Sequence, residues 1–186
     1  MKKILITIAA LCIMTAPFAQ QWAKQFDFVD DFSGELERVS KDGKKGFVDK
    51  NGKIIVPLIY QDALRFEEGM ATVQKNGKWG FIDSVGNLAV PAVYSDAYAF
   101  SNGLALVSKE GRYGFIKRCG NIAIPIQFEN ALAYTEGFAA VQKKGKWGFL
   151  NNEGNEVIAA RYDYAHSFEG GYAKVLKQGR WIIVDK

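Results

Sequence analysis

The stretch that decides the fold is Lys75-Asn76-Gly77-Lys78-Trp79-Gly80-Phe81-Ile82-Asp83. Closely similar stretches recur at 34-residue intervals, and they occupy residues 41–49, 109–117, 143–151 and 177–185. A fixed period of this kind indicates one supersecondary unit stacked on copies of itself. The 186 residues are therefore predicted to hold five copies of one unit, with no sequence left over for a second domain.

The local chemistry of the unit favours β structure, although a 34-residue period also fits paired-helix repeats. Asn76-Gly77 and Asp42-Gly43 are typical two-residue hairpin turns, because both central positions of such a turn need positive φ. Apolar and polar side chains alternate on both sides of the turn, which predicts strands at 70–75 and 78–83. Several glycines per unit would also be costly inside helices.

A third strand is predicted after a second turn, as in residues 54–60. One column of this strand holds three of the four prolines, which are Pro57, Pro91 and Pro125. Because proline cannot donate a ladder hydrogen bond, we expect this strand to lie at a sheet edge or to bend there. The segment 60–69 is compatible with a strand, a loop or a short helical turn.

These observations predict an all-β protein of five tandem 34-residue units. Each unit is predicted to be a three-stranded antiparallel sheet, and the five units form an open twisted array. An open array needs atypical end units. The end units do deviate most from the repeat, at Glu35, Glu37 and Lys45 in the first and at Ile182 in the last. A closed five-bladed, propeller-like ring is the alternative, since five whole units could close.

Residues 1–19 are predicted to be a bacterial secretory signal peptide. Lys2 and Lys3 precede an apolar run at 4–14, and small residues up to Ala19 offer a cleavage site before Gln20. The run is too short to span a bilayer as a permanent anchor. We therefore expect an exported protein in the periplasm or the extracellular medium, with no transmembrane segment after cleavage and one repeat domain at 20–186.

Composition argues against several classes of function. Cleavage would remove two of the 24 basic residues and leave 22 against 20 acidic ones, a net charge of +2. That balance gives no reason to expect a nucleic-acid partner. Cys119 would be the only remaining cysteine, so no internal disulfide can form, and no His/Cys cluster suggests a metal. We predict no cofactor.

The unit resembles the WG-repeat family, which is named for the Trp-Gly pair seen here at 79–80 and 147–148. The resemblance extends over 26–186 and rests on a turn followed by Lys-Trp-Gly-Phe-Ile-Asp, then Gly, Pro and Tyr-Asp. It implies an all-β repeat protein, commonly bacterial, with no established general activity. The sequence departs from the pattern at Lys45 and Tyr113, which replace Trp, and at Ile182, which replaces Gly.

Two columns of basic residues flank the hairpin turn, and stacking of the units would align them along one side of the array. Such a surface could bind an anionic polysaccharide or an acidic protein face. The same residues could instead keep the turns soluble and prevent edge-to-edge pairing. The central residues of these columns, which we call the basic stripe, are Lys75, Lys78, Lys109, Arg112, Lys143 and Lys146.

The aromatic columns are predicted to form an internal ladder in which each ring packs on the next unit, because such bulk normally supplies the core. The residues at the Trp position flank a turn, and they are the candidates for exposed rings that stack on sugars. These four residues are Trp79, Tyr113, Trp147 and Trp181.

Catalytic groups usually occur once, in a unique pocket, whereas almost every distinctive residue here is repeated. We therefore predict no catalytic residue, and we interpret the chain as a noncatalytic binding or scaffold module. The alternative is a carbohydrate-processing hydrolase or accessory protein with a single pocket around His166, the only histidine. Unrepeated acidic residues beside His166 would favour that alternative, and a continuous exposed face would favour binding.

Overall fold

The computed structural model describes residues 21–30 and 36–186. The predicted signal peptide at 1–19 and the deviating residue Glu35 lie outside these ranges. The described residues form β-strands together with one 3-10 helix, Trp22–Gln25, and they contain no α-helix. No helix in this part of the chain has the length and apolar character needed to cross a membrane.

The strands form five antiparallel sheets that follow one another along the chain. The first sheet contains β1 (Phe28–Val29), β2 (Leu36–Lys41), β3 (Lys44–Asp49) and β4 (Ile54–Tyr60). The second contains β5 (Asp62–Glu67), β6 (Met70–Lys75), β7 (Lys78–Asp83) and β8 (Leu88–Tyr94). The third contains β9 (Asp96–Ser101), β10 (Leu104–Lys109), β11 (Arg112–Lys117) and β12 (Ile122–Phe128). The fourth contains β13 (Asn130–Ala131), β14 (Phe138–Lys143), β15 (Lys146–Asn151) and β16 (Glu156–Tyr162). The fifth contains β17 (Tyr164–Ala165), β18 (Tyr172–Lys177) and β19 (Arg180–Asp185).

The first four sheets have four strands each, so the prediction of three-stranded units is wrong by one strand. The undecided segment at 60–69 forms β5, which is connected to β6 by a two-residue turn. Glu68 and Gly69 in this turn have φ values of 51° and 78°. Equivalent turns recur every 34 residues at Asn102-Gly103 and Glu136-Gly137. The repeated X-Gly pair was therefore the sequence signal for this extra hairpin.

The hairpin turns predicted from the repeat are confirmed. Asn76 and Gly77 have φ values of 52° and 72°, and Lys75 pairs with Lys78 across the turn. A side chain from the start of the same unit caps each turn, as where the Gly77 N–H donates to Oε1 of Gln61 at 2.7 Å. Glu129 caps the turn of the fourth unit in the same way, by accepting from the Gly145 N–H at 2.7 Å.

The glycine of the Trp-Gly pair makes room for the fourth strand of the sheet. The register between β7 and β8 shifts on both sides of Gly80, and β8, which carries Pro91, lies at the edge of its sheet, as predicted from the proline. A Cβ on Gly80 would lie 2.6 Å from the Val90 carbonyl oxygen. Comparable overlaps, at 2.5 to 2.6 Å from the neighbouring strand, would occur at Gly46, Gly114 and Gly148.

Neighbouring sheets are joined by a repeated pair of aromatic rings. Phe81 of the second sheet packs edge-on against Phe100 of the third, with ring centroids 5.0 Å apart and planes at 63°. The equivalent pairs are Phe47–Phe66, Phe115–Tyr134 and Phe149–Phe168. These contacts confirm the internal ladder. Among the described strands, none of the first sheet pairs with one of the last, so the array is open and the ring alternative is wrong.

The loop before each fourth strand packs on the preceding unit. A Cβ on Gly86 would lie 3.3 Å from the Val56 side chain, and Gly120 faces Val90 in the same manner. Trp22 lies 34 residues before Val56 and takes its place at the start of the array. Its ring covers Gly52, where a Cβ would lie 2.3 Å from the indole. The 3-10 helix therefore acts as a cap on the first sheet.

Candidate binding surfaces

All six residues of the basic stripe are exposed, and each flanks the turn between the second and third strands of its sheet. The three residues that precede the turns, which we call the leading column, are Lys75, Lys109 and Lys143. Within the described ranges, their ammonium groups make no hydrogen bond or ion pair. The leading column therefore presents unneutralised positive charge to the solvent.

The three residues that follow the turns, which we call the trailing column, have polar neighbours from the start of the next unit. The pairs are Lys78–Ser95 at 3.4 Å, Arg112–Glu129 at 3.8 Å and Lys146–Asp163 at 2.5 Å. Hydrogen bonds from Lys146 and from the Gln178 N–H hold the pKa of the Asp163 carboxyl below its usual range. Two of the three trailing charges are thus partly neutralised, which the repeat alone did not indicate.

A shallow depression lies beside the basic stripe in the third unit. Lys109 and Arg112 line it on one side, and Ile122 and Ile126 line it on the other. A depression in the first unit is lined in the same way by Lys41, Lys44, Ile54 and Leu58. A mixture of cations and aliphatic side chains suits a ligand that combines negative charge with an apolar face.

The four residues at the Trp position differ widely in exposure. Trp147 is buried and packs against Tyr164 with ring centroids 5.6 Å apart. Trp79 and Tyr113 are half-buried. Trp181 is 52% exposed, so within the described residues it is the one member of the set that offers a large free surface.

His166 belongs to an exposed cluster of rings in the last sheet. It stacks on Trp181 with centroids 5.2 Å apart and planes at 28°, and Tyr164 contacts both rings edge-on. The adjacent depression is lined by one carboxylate, Glu169, together with Tyr172, Lys174 and Ile183. Among the described residues, no group of three or more His, Cys, Asp or Glu side chains is placed to hold a metal ion.

A buried ionic cluster joins the first two units, and the sequence reasoning missed it. The Asp30 carboxylate pairs with Arg38 at 2.9 Å and with Arg65 at 2.7 Å, while Arg38 also donates to the Ala63 carbonyl oxygen. The hydrogen bond from Arg65 outweighs the effect of burial and lowers the pKa of Asp30. Lys45, at the Trp position of the first unit, pairs with Asp62 across the same junction. The first junction is therefore ionic where the later ones are aromatic.

A family model described as "WG containing repeat" matches the chain four times in succession. The matched segments are residues 46–79, 79–113, 113–147 and 147–181, which together amount to well over half of the chain. The shared boundaries fall at the Trp position of consecutive units. No curated protein matches the chain.

Several solved structures share the fold at low sequence identity. A eukaryotic initiation factor matches with a TM-score of 0.53 and 13% identity, over 81% of this chain and 48% of that one. Two structures of Kluyveromyces lactis Hsv2 match with TM-scores of 0.51 and 0.50 and identities of 12% and 14%. Each of these two matches covers 81% of this chain, which spans 56% and 57% of the Hsv2 chains. At such identities the likeness extends to the fold alone.

Proposed function

The chain belongs to the WG containing repeat family, and from that premise we propose that it is an exported, noncatalytic binding module for an anionic polysaccharide. The observation that carries this proposal is the leading column, whose three ammonium groups are exposed and unpaired at equivalent turns of three consecutive sheets. Repetition of the distinctive residues supports a binding surface rather than a single catalytic pocket.

The spacing of the column suits a polyanion. Packed sheets lie about 10 Å apart, and the screening length at physiological ionic strength is about 8 Å. The positive potentials of neighbouring lysines therefore still overlap, although the predicted net charge of the exported chain is only +2. Each exposed cation contributes little alone, so binding should require several sites on one ligand.

The depressions beside the stripe favour a sugar polymer over a generic polyanion. Ile122 and Ile126 offer aliphatic surface next to Lys109 and Arg112. A uronic-acid polymer has carboxylates for the cations and C–H faces for the aliphatic side chains. An acidic protein surface has the charge, but it does not present the same alternation of carboxylate and ring.

The test is retention of residues 20–186 on immobilised polygalacturonate during a salt gradient, with uncharged dextran as the matrix control. We expect the parent to bind polygalacturonate and to pass through dextran. Changing Lys75, Lys109 and Lys143 to Gln should lower the eluting salt concentration and reduce its dependence on salt. The matched control changes three exposed cations outside the stripe, Lys50, Lys53 and Lys174, to Gln, and it should elute close to the parent.

The two triple variants remove the same charge, so a bulk-charge effect would shift both equally and would refute a specific site. Failure of the parent to bind polygalacturonate would also refute the proposal. Retention on immobilised polyglutamate alone would identify an acidic protein as the partner instead. The trailing triple Lys78→Gln, Arg112→Gln and Lys146→Gln should have a smaller effect than the leading triple, because its cations are partly neutralised.

A further inference from the structure

The outer edge of β19 is open, unlike the edge of every equivalent strand in the described part of the chain. In the first four sheets, the third strand lies between two neighbours and the fourth strand covers its outer side. In the last sheet, β19 pairs with β18 and forms the edge. An uncovered edge strand is a template on which another strand can pair.

Ile182 determines which kind of strand can cover this edge. Its column is glycine in the other four sheets, where the bulged fourth strand approaches to within 2.5 to 2.6 Å of the position a Cβ would occupy. The side chain of Ile182 fills that space. The edge of β19 therefore cannot receive a bulged strand of the type found in β4 or β8, but a regular antiparallel strand fits, because its backbone stays in register with the edge.

The main-chain groups on this edge point outward from alternate residues. Lys177 and Arg180 close the two-residue turn as a hydrogen-bonded pair, and such pairs alternate with non-hydrogen-bonded ones along the ladder. The N–H and C=O groups of Trp181, Ile183 and Asp185 therefore face away from β18. The N–H and C=O of Ile182 face inward and are paired with Val175.

The side chains of this edge are apolar and exposed. Trp181 is 52% exposed, Ile182 40% and Ile183 66%, and the charges of the strand lie only at its ends, at Arg180 and Asp185. Edge strands of soluble proteins are usually protected by central charges, proline or a bulge. β4, β8 and β12 each carry such a proline. β19 has none of these devices.

We propose that the edge of β19 is a homodimer interface, in which two copies of the strand pair antiparallel about a two-fold axis at Ile182. A two-fold axis perpendicular to a sheet preserves the face on which a side chain lies, so the axis must pass through a residue. With the axis at Ile182, Trp181 lies opposite Ile183 of the partner subunit, and both residues point their free main-chain groups at the partner. Aromatic residues opposite β-branched ones are favourable cross-strand pairs.

The arrangement is self-complementary in both chemistry and hydrogen bonding. Each Trp181–Ile183 pair exchanges two main-chain hydrogen bonds, and the pair formed by Ile182 and Ile182 of the partner subunit is a non-hydrogen-bonded pair on the opposite face. The two three-stranded sheets become one six-stranded sheet, and the exposed apolar residues of each edge are covered by those of the other. The dimer would also present two leading columns, which strengthens binding to a long polyanion by avidity.

The first test is the mass of residues 20–186 in sedimentation equilibrium over a series of concentrations, in a Cys119→Ser background. We expect a monomer–dimer equilibrium for this parent. Ile183→Lys should weaken dimerisation by at least about tenfold in Kd, because it places a charge at the two-fold interface. The matched control is Ile122→Lys on the edge strand β12, since Ile122 is 59% exposed, and this variant should dimerise like the parent.

The second test reads the register by disulfide formation in the same background. Ile182→Cys should form a disulfide-linked dimer on mild oxidation, because Cα atoms in a non-hydrogen-bonded pair are about 4.5 Å apart, within the range of a disulfide. Ile183→Cys should remain largely uncrosslinked, since it lies opposite Trp181 of the partner subunit.

Unchanged thermal melting of the dilute Ile183→Lys variant would show that the substitution leaves the fold intact. A parent that is monomeric at every concentration would overturn the proposal. Dimerisation that survives Ile183→Lys but is lost in Ile122→Lys would place the interface elsewhere, and more efficient crosslinking at residue 183 than at residue 182 would refute the register.

Discussion

Gly80 lies so close to the main chain of Val90 that a Cβ on it would be 2.6 Å from the Val90 carbonyl oxygen. The Ala92 nitrogen would be 2.7 Å away on the same strand. Because both atoms belong to a backbone that is fixed by pairing with β7, neither can move aside as a flexible side chain would. This contact explains why the second residue of the Trp-Gly pair is glycine wherever a fourth strand follows.

We therefore expect Gly80→Ala to destabilise the protein by about 3 kcal/mol, the upper part of the usual range for overpacking. The control is Ile182→Ala, in the same column of a sheet without a fourth strand, where the loss should stay below about 1 kcal/mol. Urea unfolding followed by tryptophan fluorescence, at a concentration that favours the monomer, measures both. Equal losses in the two variants would contradict the account of the glycine.

Trp147 supplies core packing rather than a sugar platform, because its side chain is 4% exposed. We expect Trp147→Ala to cost about 3–5 kcal/mol through the cavity it leaves. Trp181→Ala, at the equivalent position with 52% exposure, should lose far less stability in the dilute monomer. Thermal melts of the two variants decide the matter, and an unchanged melting temperature for Trp147→Ala would refute the ladder role.

The Asp30 cluster should make the fold sensitive to acid. The folded-state pKa of Asp30 is lowered from 3.8, so its contribution to stability is present above the unfolded pKa. That contribution is lost as the pH falls through the folded pKa, because protonation removes the charge that binds Arg65 and Arg38. Asp30→Asn should cost about 2 kcal/mol at pH 7 and should flatten the decline of stability below about pH 4.

Melting temperature as a function of pH, from pH 2 to pH 7, provides the measurement for this cluster. Glu156→Gln is the control, since Glu156 is exposed and forms no ion pair in the described structure. Its acid decline should match that of the parent. An Asp30→Asn variant with the same acid slope as the parent would show that the cluster does not govern acid stability.

Export is tested by the N-terminus of the native protein. If the basic and apolar residues at 1–19 are a signal peptide, mass spectrometry should find a chain that begins near Gln20 in the periplasm or the medium. Recovery of an uncleaved chain from the cytoplasm would contradict this prediction. The measurement is independent of the binding tests, because it reads processing and compartment only.

The comparison of sequence and structure is most instructive at two places. The basic stripe was identified from the turn sequence, but Asp163, the partner of Lys146, lies 17 residues away and belongs to the next unit. Likewise, β5 was left open because Asp62-Ala-Leu-Arg-Phe66 has no clean alternation, and its register with β6 shifts between Ala63 and Phe66. In both places the deciding contact is non-local, or irregular, and periodicity does not encode it.

The sequence by itself determined the period, the strand chemistry and the main turns of this protein. These features follow from backbone rules that act within a few residues, such as the positive φ of Asn76 and Gly77. Only the tertiary structure decided the fourth strand of each unit, the open form of the array, the burial of Trp147 and the exposure of Trp181. Residues in one column have the same local chemistry, and what distinguishes them is whether another sheet packs against them. That depends on the position of the unit in the array, which a repeat by definition does not record.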